Sequence, residues 1–285
     1  MSATKRLTVA IPAKGRLQVG SIGLLEAAGF QPETYSERNL SVRCSGAPVD
    51  ALLVRAADIP EYVQDGAVDC GITGADLVLE RDADVVEMLR LGFGSCSLQA
   101  AVPEESAITA LEELDGHHVA TVFPRLTRRL LAERNVFVHI CEVSGSVEIA
   151  PRIGLADGIV DLVSSGGTLR TNGLRSLGTL IESEAVLVAS KGTAGALNGL
   201  VTALRSVVDA RTSRYLMFNL PADALDRVVE ILPTPGSPSV VPLRSSEHVA
   251  VHALVPAAEV WELLPKLQSL GASAILVNPV ERVLS

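Results

Sequence analysis

Aromatic side chains are scarce: 285 residues include one tryptophan, three tyrosines and five phenylalanines. So few rings offer little as a stacking platform for single-stranded nucleic acid, and the core has to come from Leu, Val, Ile and Ala, as suits an α/β protein. Positive charge is also short. Twenty-four Lys plus Arg against 33 Asp plus Glu leave a net charge of −9, the wrong sign for a protein whose main partner is a nucleic-acid backbone. The four cysteines, Cys44, Cys70, Cys96 and Cys141, are dispersed, with no CxxC and no Cys/His pair at zinc-ligand spacing; each reads as a small core residue. No apolar run approaches the roughly 18 residues of a membrane span, and Leu7 to Ile11 stops at Pro12 and Lys14, too short for a signal sequence. A cytoplasmic protein with neither nucleic acid nor membrane as partner is expected.

What is present is a β/α rhythm. Leu7 to Ile11 reads as a buried strand, Leu17 to Ala28 as a helix closed by Gly29, Val49 to Arg55 and Val68 to Thr73 as strands, with Asp58 capping a short helix between them. A second series runs helix Ala110 to Leu114, strand His118 to Phe123, helix Pro124 to Arg134, strand Val136 to Val143, helix Val147 to Leu155, strand Gly158 to Val163. From Tyr215 the order becomes βαββαβ, a ferredoxin-like unit, with Pro265 set to kink its last helix. Ala185 to Val188 and the helix Leu197 to Asp209 can return to the first series. The expected division is therefore 1–98 with 183–213 as one α/β lobe, 99–182 as a second, and 214–285 as a third domain, with mainly parallel sheets and a cleft between the lobes.

The stretch Gly158-Ile-Val-Asp161-Leu-Val-Ser-Ser165-Gly-Gly-Thr168 carries the clearest chemistry. Ser164, Ser165, Gly166, Gly167 and Thr168 offer backbone N–H groups and hydroxyls at a helix start, where the helix dipole favours phosphate. Asp161, just before, is placed to accept from vicinal ribose hydroxyls, so the pair suits a ribose 5-phosphate; an ordinary strand-turn-helix fits the spacing as well. Lys14 and Arg16 sit in a tight loop after the first strand, and Arg55 ends another, where open α/β sheets bind ligands; the alternative for each is a solvated surface charge. Gly71-Ile-Thr73-Gly74-Ala-Asp76 is a second strand-to-helix turn able to present N–H groups. Glu148 is either a helix cap or a cleft acid, and Arg125, Arg128 and Arg129 either extend a positive wall or form a solvated face. His117 and His118, adjacent in a strand, should face opposite ways; His139 is isolated, and His248 and His252 share a strand face without a third donor, so no metal site is expected. Trp261 reads as core or a subunit contact.

Glu148, Gly154, Ala156, Ile159, Asp161-Leu162, Ser165-Gly166 and Thr168-Leu169 together resemble the signature of the ATP phosphoribosyltransferase family, the first enzyme of histidine biosynthesis. The likeness continues through Pro12-Ala-Lys-Gly-Arg-Leu17, Asp69-Cys-Gly-Ile-Thr-Gly74, Leu91-Gly-Phe-Gly94, Gly145-Ser-Val-Glu148 and Ala274-Ile-Leu-Val277. Common phosphoribosyltransferases carry two adjacent acids before the phosphate turn; Asp161-Leu162 supplies one, as in this family. The resemblance implies transfer of the phosphoribosyl group of 5-phosphoribosyl 1-diphosphate to N1 of ATP, with release of pyrophosphate. Lys14, Arg16, Arg55 and Asp161 would serve the chemistry, and Glu148, Asp161 and Ser164 to Thr168 would hold the phosphoribosyl substrate. Lys14, Gly15, Arg16, Gly71, Thr73 and Gly74 would hold ATP. Mg²⁺ would come with the substrate phosphates rather than on a protein-only site.

The third unit has no phosphate loop and reads as regulatory or assembling. In the long form of the family it binds histidine as feedback inhibitor within a hexamer, which implies roles for Asn219, Ser239 and Ala274 here; Ser239 stands where Thr is expected. Two α/β lobes round a cleft also describe periplasmic-binding-protein-like folds, so a solute-binding or sensor protein without catalysis is the competing reading.

Overall fold

The computed structural model describes residues 6–33, 40–164, 167–244 and 247–284. Ser165 and Gly166, and the side chain of Thr168, lie outside what is described. The chain divides into two compact units, 1–198 and 199–285. Among the described residues no helix is long and apolar enough to cross a membrane.

The strands of the first unit are β1 (Leu7–Pro12), β2 (Gln31–Pro32), β3 (Ser41–Ser45), β4 (Val49–Val54), β5 (Cys70–Gly74), β6 (Val86–Arg90), β7 (Cys96–Pro103), β8 (His118–Thr121), β9 (His139–Glu142), β10 (Gly158–Val163), β11 (Leu174–Ser183) and β12 (Ala185–Ala189). They form a seven-stranded sheet of order β2-β3-β4-β1-β5-β12-β6 and a five-stranded sheet of order β11-β7-β10-β8-β9. Each sheet, with its helices, is one lobe. Neither is mainly parallel, contrary to the sequence expectation. β4, β1 and β5 run parallel, as do β10, β8 and β9, but β12 is antiparallel to both its neighbours, and β7 is antiparallel to β10 and β11. Buried apolar runs fix that a strand is interior, not which way it points.

β3 is antiparallel to β2 and β4, while β12 and β7 lie where the chain passes between the sheets, once at 91–95 and back at Glu184. The two passages bond to each other: Leu91 N donates to Ala185 O at 3.0 Å and Ala185 N to Phe93 O at 2.9 Å, while Gly92 N donates to Glu184 Oε2 at 3.0 Å. Helices α1 (Gly15–Ala27), α2 (Ile59–Gln64), α3 (Ala75–Arg81), α4 (Pro124–Ala132) and α5 (Gly167–Thr171) follow strand ends. Val147 to Leu155 is not a helix: one 3-10 turn, Val147–Ile149, gives way to turns ending at Gly154 with φ +74°, because Pro151 supplies no N–H to continue a ladder. Asp58 makes no side-chain cap; its carboxylate lies 3.9 Å from Arg81 instead.

The largest fully buried side chains are Leu and Ile apart from Phe218, as the lack of rings requires. Cys44 and Cys70 are core, and burial pushes the Cys70 thiol up to about 12; Cys96 and Cys141 are only half-buried. The second unit runs α6 (Asn198–Arg211, its first residue in unit one), β13 (Ser213–Pro221), α7 (Leu225–Ile231), β14 (Ser239–Pro242), β15 (His248–Pro256), α8 (Val260–Ser269) and β16 (Ser273–Pro279). The antiparallel order β14-β15-β13-β16 is ferredoxin-like. Leu216, Phe218 and Val251 of the sheet pack with Val228, Leu263 and Leu267 of the helices. Helix α8 continues through Pro265, and Trp261 is 78% exposed, not core, since its side of the helix is opposite Leu263 and Leu267.

Candidate active site

Three loops meet at one end of the seven-stranded sheet. β4, β1 and β5 are parallel neighbours, with Pro12 opposite Val54, so the loops that follow them lie side by side. Lys14, Gly15 and Arg16 come from the first, Arg55 from the second and the Gly74 to Asp76 turn from the third; Lys14, Arg16 and Arg55 are exposed. Gly15 holds φ +80° as the chain turns into α1, a conformation costly for other residues.

The five-stranded sheet presents β10, which ends at Val163 beside Ser164. Arg16 Nη2 donates to Ser164 Oγ at 2.7 Å, joining the cationic loop of one lobe to the predicted phosphate turn of the other. Asp161, half-buried, accepts from Leu162 N at 2.8 Å. Burial holds its carboxyl above the ordinary aspartate range, the Leu162 N–H opposes that, and nearby Glu148 adds to it. Glu148, near enough to act on Asp161, is carried by a turn that Ser146 enters at φ +50°.

The nucleotide turn departs in part from expectation. Thr73 is 0% exposed, and its hydroxyl donates to Ala56 O at 2.8 Å, so its side chain is structural and only backbone remains for a ligand. Gly71 is a packing glycine: a Cβ there would stand 2.3 Å from Ile59 Cγ2. Asp76, by contrast, has a role that the motif alone does not indicate. It is 4% exposed; Ser183 Oγ donates to its Oδ1 at 2.5 Å and accepts from its N–H at 3.0 Å. Burial raises its pKa, with the Ser183 hydrogen bond opposing. Gln99, opposite Asp161 in the β7–β10 register and therefore on the same face, was also missed. It is held by Ser97 and Ser176 hydroxyls at 2.8 and 2.7 Å.

Other candidates lie elsewhere. His117 and His118 do not diverge, because β8 begins only at His118: their Nδ1 atoms lie 3.2 and 3.9 Å from Asp157 Oδ2, and His118 stacks on His139 at 5.0 Å. They line a groove of about 590 Å³ at the opposite ends of β8 and β10 that contains none of the expected site residues. Arg125 and Arg128 line a separate cavity of about 490 Å³ with Glu80 and Glu142. No group of three His, Cys, Asp or Glu among the described residues is arranged to hold a metal. In the second unit, Asn219 is on β13, Ser239 on edge strand β14 and Ala274 on the opposite edge strand β16, at φ +49°. Three strand spacings, about 14 Å, separate the edges, so one chain does not gather the three round a small ligand.

The two α/β lobes thus set a cationic loop at the sheet end against the strand that carries a half-buried acid. Residues 55–206 match the ATP phosphoribosyltransferase family and 210–282 match its C-terminal domain. The ATP phosphoribosyltransferases of Natronomonas pharaonis and Gemmatimonas aurantiaca are 44% and 43% identical to it. Those matches span 97% and 98% of this chain and 99% of each relative. The solved ATP phosphoribosyl transferase (HisG:HisZ) complex from Thermotoga maritima aligns with TM-score 0.62 and 27% identity over 71% of this chain and 98% of that one. A substrate-binding protein of an amino-acid ABC transporter, at TM-score 0.50 and 13% identity over 72% of this chain and 94% of that one, shares the fold alone. The chain belongs to the ATP phosphoribosyltransferase family, whose reaction opens histidine biosynthesis.

Proposed function

We propose that the cleft transfers the 5-phosphoribosyl group from 5-phosphoribosyl 1-diphosphate to N1 of ATP. The bond from ribose C1 to the pyrophosphate oxygen breaks, its electron pair leaves with pyrophosphate, and the N1–C1 bond forms with inversion. The observation that supports this reading is the Arg16–Ser164 contact, since it brings a cationic loop to the strand end that carries Asp161. Ser164 to Thr168 hold the 5-phosphate, Asp161 accepts from the ribose hydroxyls, and Lys14, Arg16 and Arg55 neutralise the polyphosphates. The Gly71 to Gly74 turn meets the nucleotide through its backbone. Catalysis then rests on positioning and charge neutralisation.

A divalent cation fits the donor set. Mg²⁺ commonly binds substrate phosphates plus one or two carboxylates, and Asp161 on β10 and Glu148 on its turn are the acids that would serve it. Bound there, it would neutralise charge on the departing pyrophosphate. In the second unit, histidine inhibition through Asn219, Ser239 and Ala274 requires opposite edge strands from two copies, which agrees with a homo-oligomer up to a hexamer. The strained Ala274 backbone supports a binding role, because such strain concentrates at functional sites. The cytoplasm is the compartment of this reading.

The test is to mix purified protein with ATP, 5-phosphoribosyl 1-diphosphate and Mg²⁺, with pyrophosphate removed enzymatically, and follow phosphoribosyl-ATP absorbance. Asp161→Ala should raise KM for the phosphoribosyl substrate and Arg16→Ala should lower kcat by about a hundredfold. No product from the wild type sinks the function; wild-type kinetics in both variants sinks the site assignment.

A further inference from the structure

Helix α4 starts without a cap of its own. Its first residue, Pro124, has no N–H, and the preceding Phe123 has no side-chain acceptor, so Arg125 N and Leu126 N are left for an outside partner. That partner is Glu80, on α3 of the other lobe. Arg125 N donates to Glu80 Oε1 at 3.1 Å and Leu126 N donates to Oε2 at 2.8 Å. Both carboxylate oxygens are thereby spent on consecutive amides of a helix 45 residues further along, at the end where the dipole favours negative charge. Arg81, next in sequence, is drawn off by Glu61 and by Ala57 O, which leaves Glu80 to the amides. Leu77 on α3 packs into the core of the five-stranded lobe.

Among the described residues the two lobes are also joined at the adjacent passages 91–95 and 183–185, where Asp76 and Ala75 bond to Ser183 and Glu184, and by Arg16 to Ser164. Two neighbouring strands act as an axis about which one lobe can turn against the other. A fixed contact away from that axis removes the turn. We propose that Glu80 is a positioning residue for phosphoribosyl transfer: by pinning α4 to the first lobe it sets the angle at which the Arg16 loop faces Asp161 and Ser164. The inference rests on the site assignment above, in which substrates are gripped from both lobes.

The experiment compares Glu80→Ala and Glu80→Gln with Thr127→Ala, all as full chains assayed well below their melting temperatures. Thr127 lies on α4, and its hydroxyl meets Thr121 Oγ1 at 3.3 Å inside the same lobe, so its loss weakens the helix without touching the contact between lobes. Glu80→Ala should lower kcat/KM for both substrates about tenfold, mostly by raising both KM values, because only the fraction of molecules with aligned lobes binds productively. Glu80→Gln, which keeps one acceptor oxygen, should lose about threefold and serves alone if the alanine variant does not fold. Thr127→Ala should lower the melting temperature while changing kcat/KM less than twofold. Wild-type KM values in the Glu80 variants, or activity losses in all variants that merely track melting temperature, overturn the proposal. Absence of transfer by the wild type would instead overturn the functional reading on which it rests.

Discussion

Two acids, one half-buried and one buried, govern how single residues answer to pH. Asp161 is raised by burial first, and Glu148 adds to that. As the ribose grip needs the ionised carboxylate, the acidic limb of kcat/KM for the phosphoribosyl substrate should fall above the ordinary aspartate range. Glu148→Gln removes the neighbouring negative charge, so that limb should move to lower pH; a limb that stays in place would show that Asp161 is not the titrating group. Asp76 is raised mainly by burial. Its folded pKa exceeds its unfolded one, so its favourable contribution exists at acid pH and is lost as pH rises through the folded value. Asp76→Asn keeps an acceptor for the Ser183 hydroxyl and has no charge to bury. At pH 8 it should therefore melt roughly 2–4 °C higher than the wild type, about 1 kcal/mol for a chain of this size, with the gain vanishing at acid pH. Calorimetry across pH checks both the sign and the trend.

Between elements, close approach decides. α2 lies directly on β5 because Gly71 has no side chain, and a methyl there would stand 2.3 Å from Ile59 and 3.1 Å from Val63. Gly71→Ala should cost about 1–3 kcal/mol by overpacking, read as a fall of several degrees in melting temperature; an unchanged midpoint would mean that α2 shifts freely. The same scale explains what was legible beforehand. Lys14, Arg16 and Arg55 closely follow strands and Asp161 lies within one, each strand marked by its own local apolar pattern, so their placement follows from neighbours in sequence. Asp76 with Ser183, 107 residues apart, and Gln99 beside Asp161 depend on antiparallel pairings that alternation of apolar residues does not specify. Val147 to Leu155 had helical spacing, but Pro151 withheld the amide that spacing cannot register. Glu80 carries no local sequence signal because the helix it caps belongs to the other lobe.

At the scale of the whole molecule, the proposed regulatory role of the ferredoxin-like unit is open to a direct test. Ser239→Thr adds one methyl at the expected histidine contact, worth about 0.8 kcal/mol if buried, so histidine should inhibit the variant about fourfold more tightly; an active enzyme indifferent to histidine would refute the regulatory reading. The passage of the chain out to the five-stranded sheet and back carries a different consequence. β12 stands between β5 and β6, so the seven-stranded sheet lacks an interior strand until residue 189 has been made. During synthesis the interposed lobe, 96–183, is complete first. It can condense while β1, β4 and β5 wait with one edge unpaired, and that open edge is the hazard to which a nascent chain is exposed. The first lobe to be begun is the last to be finished.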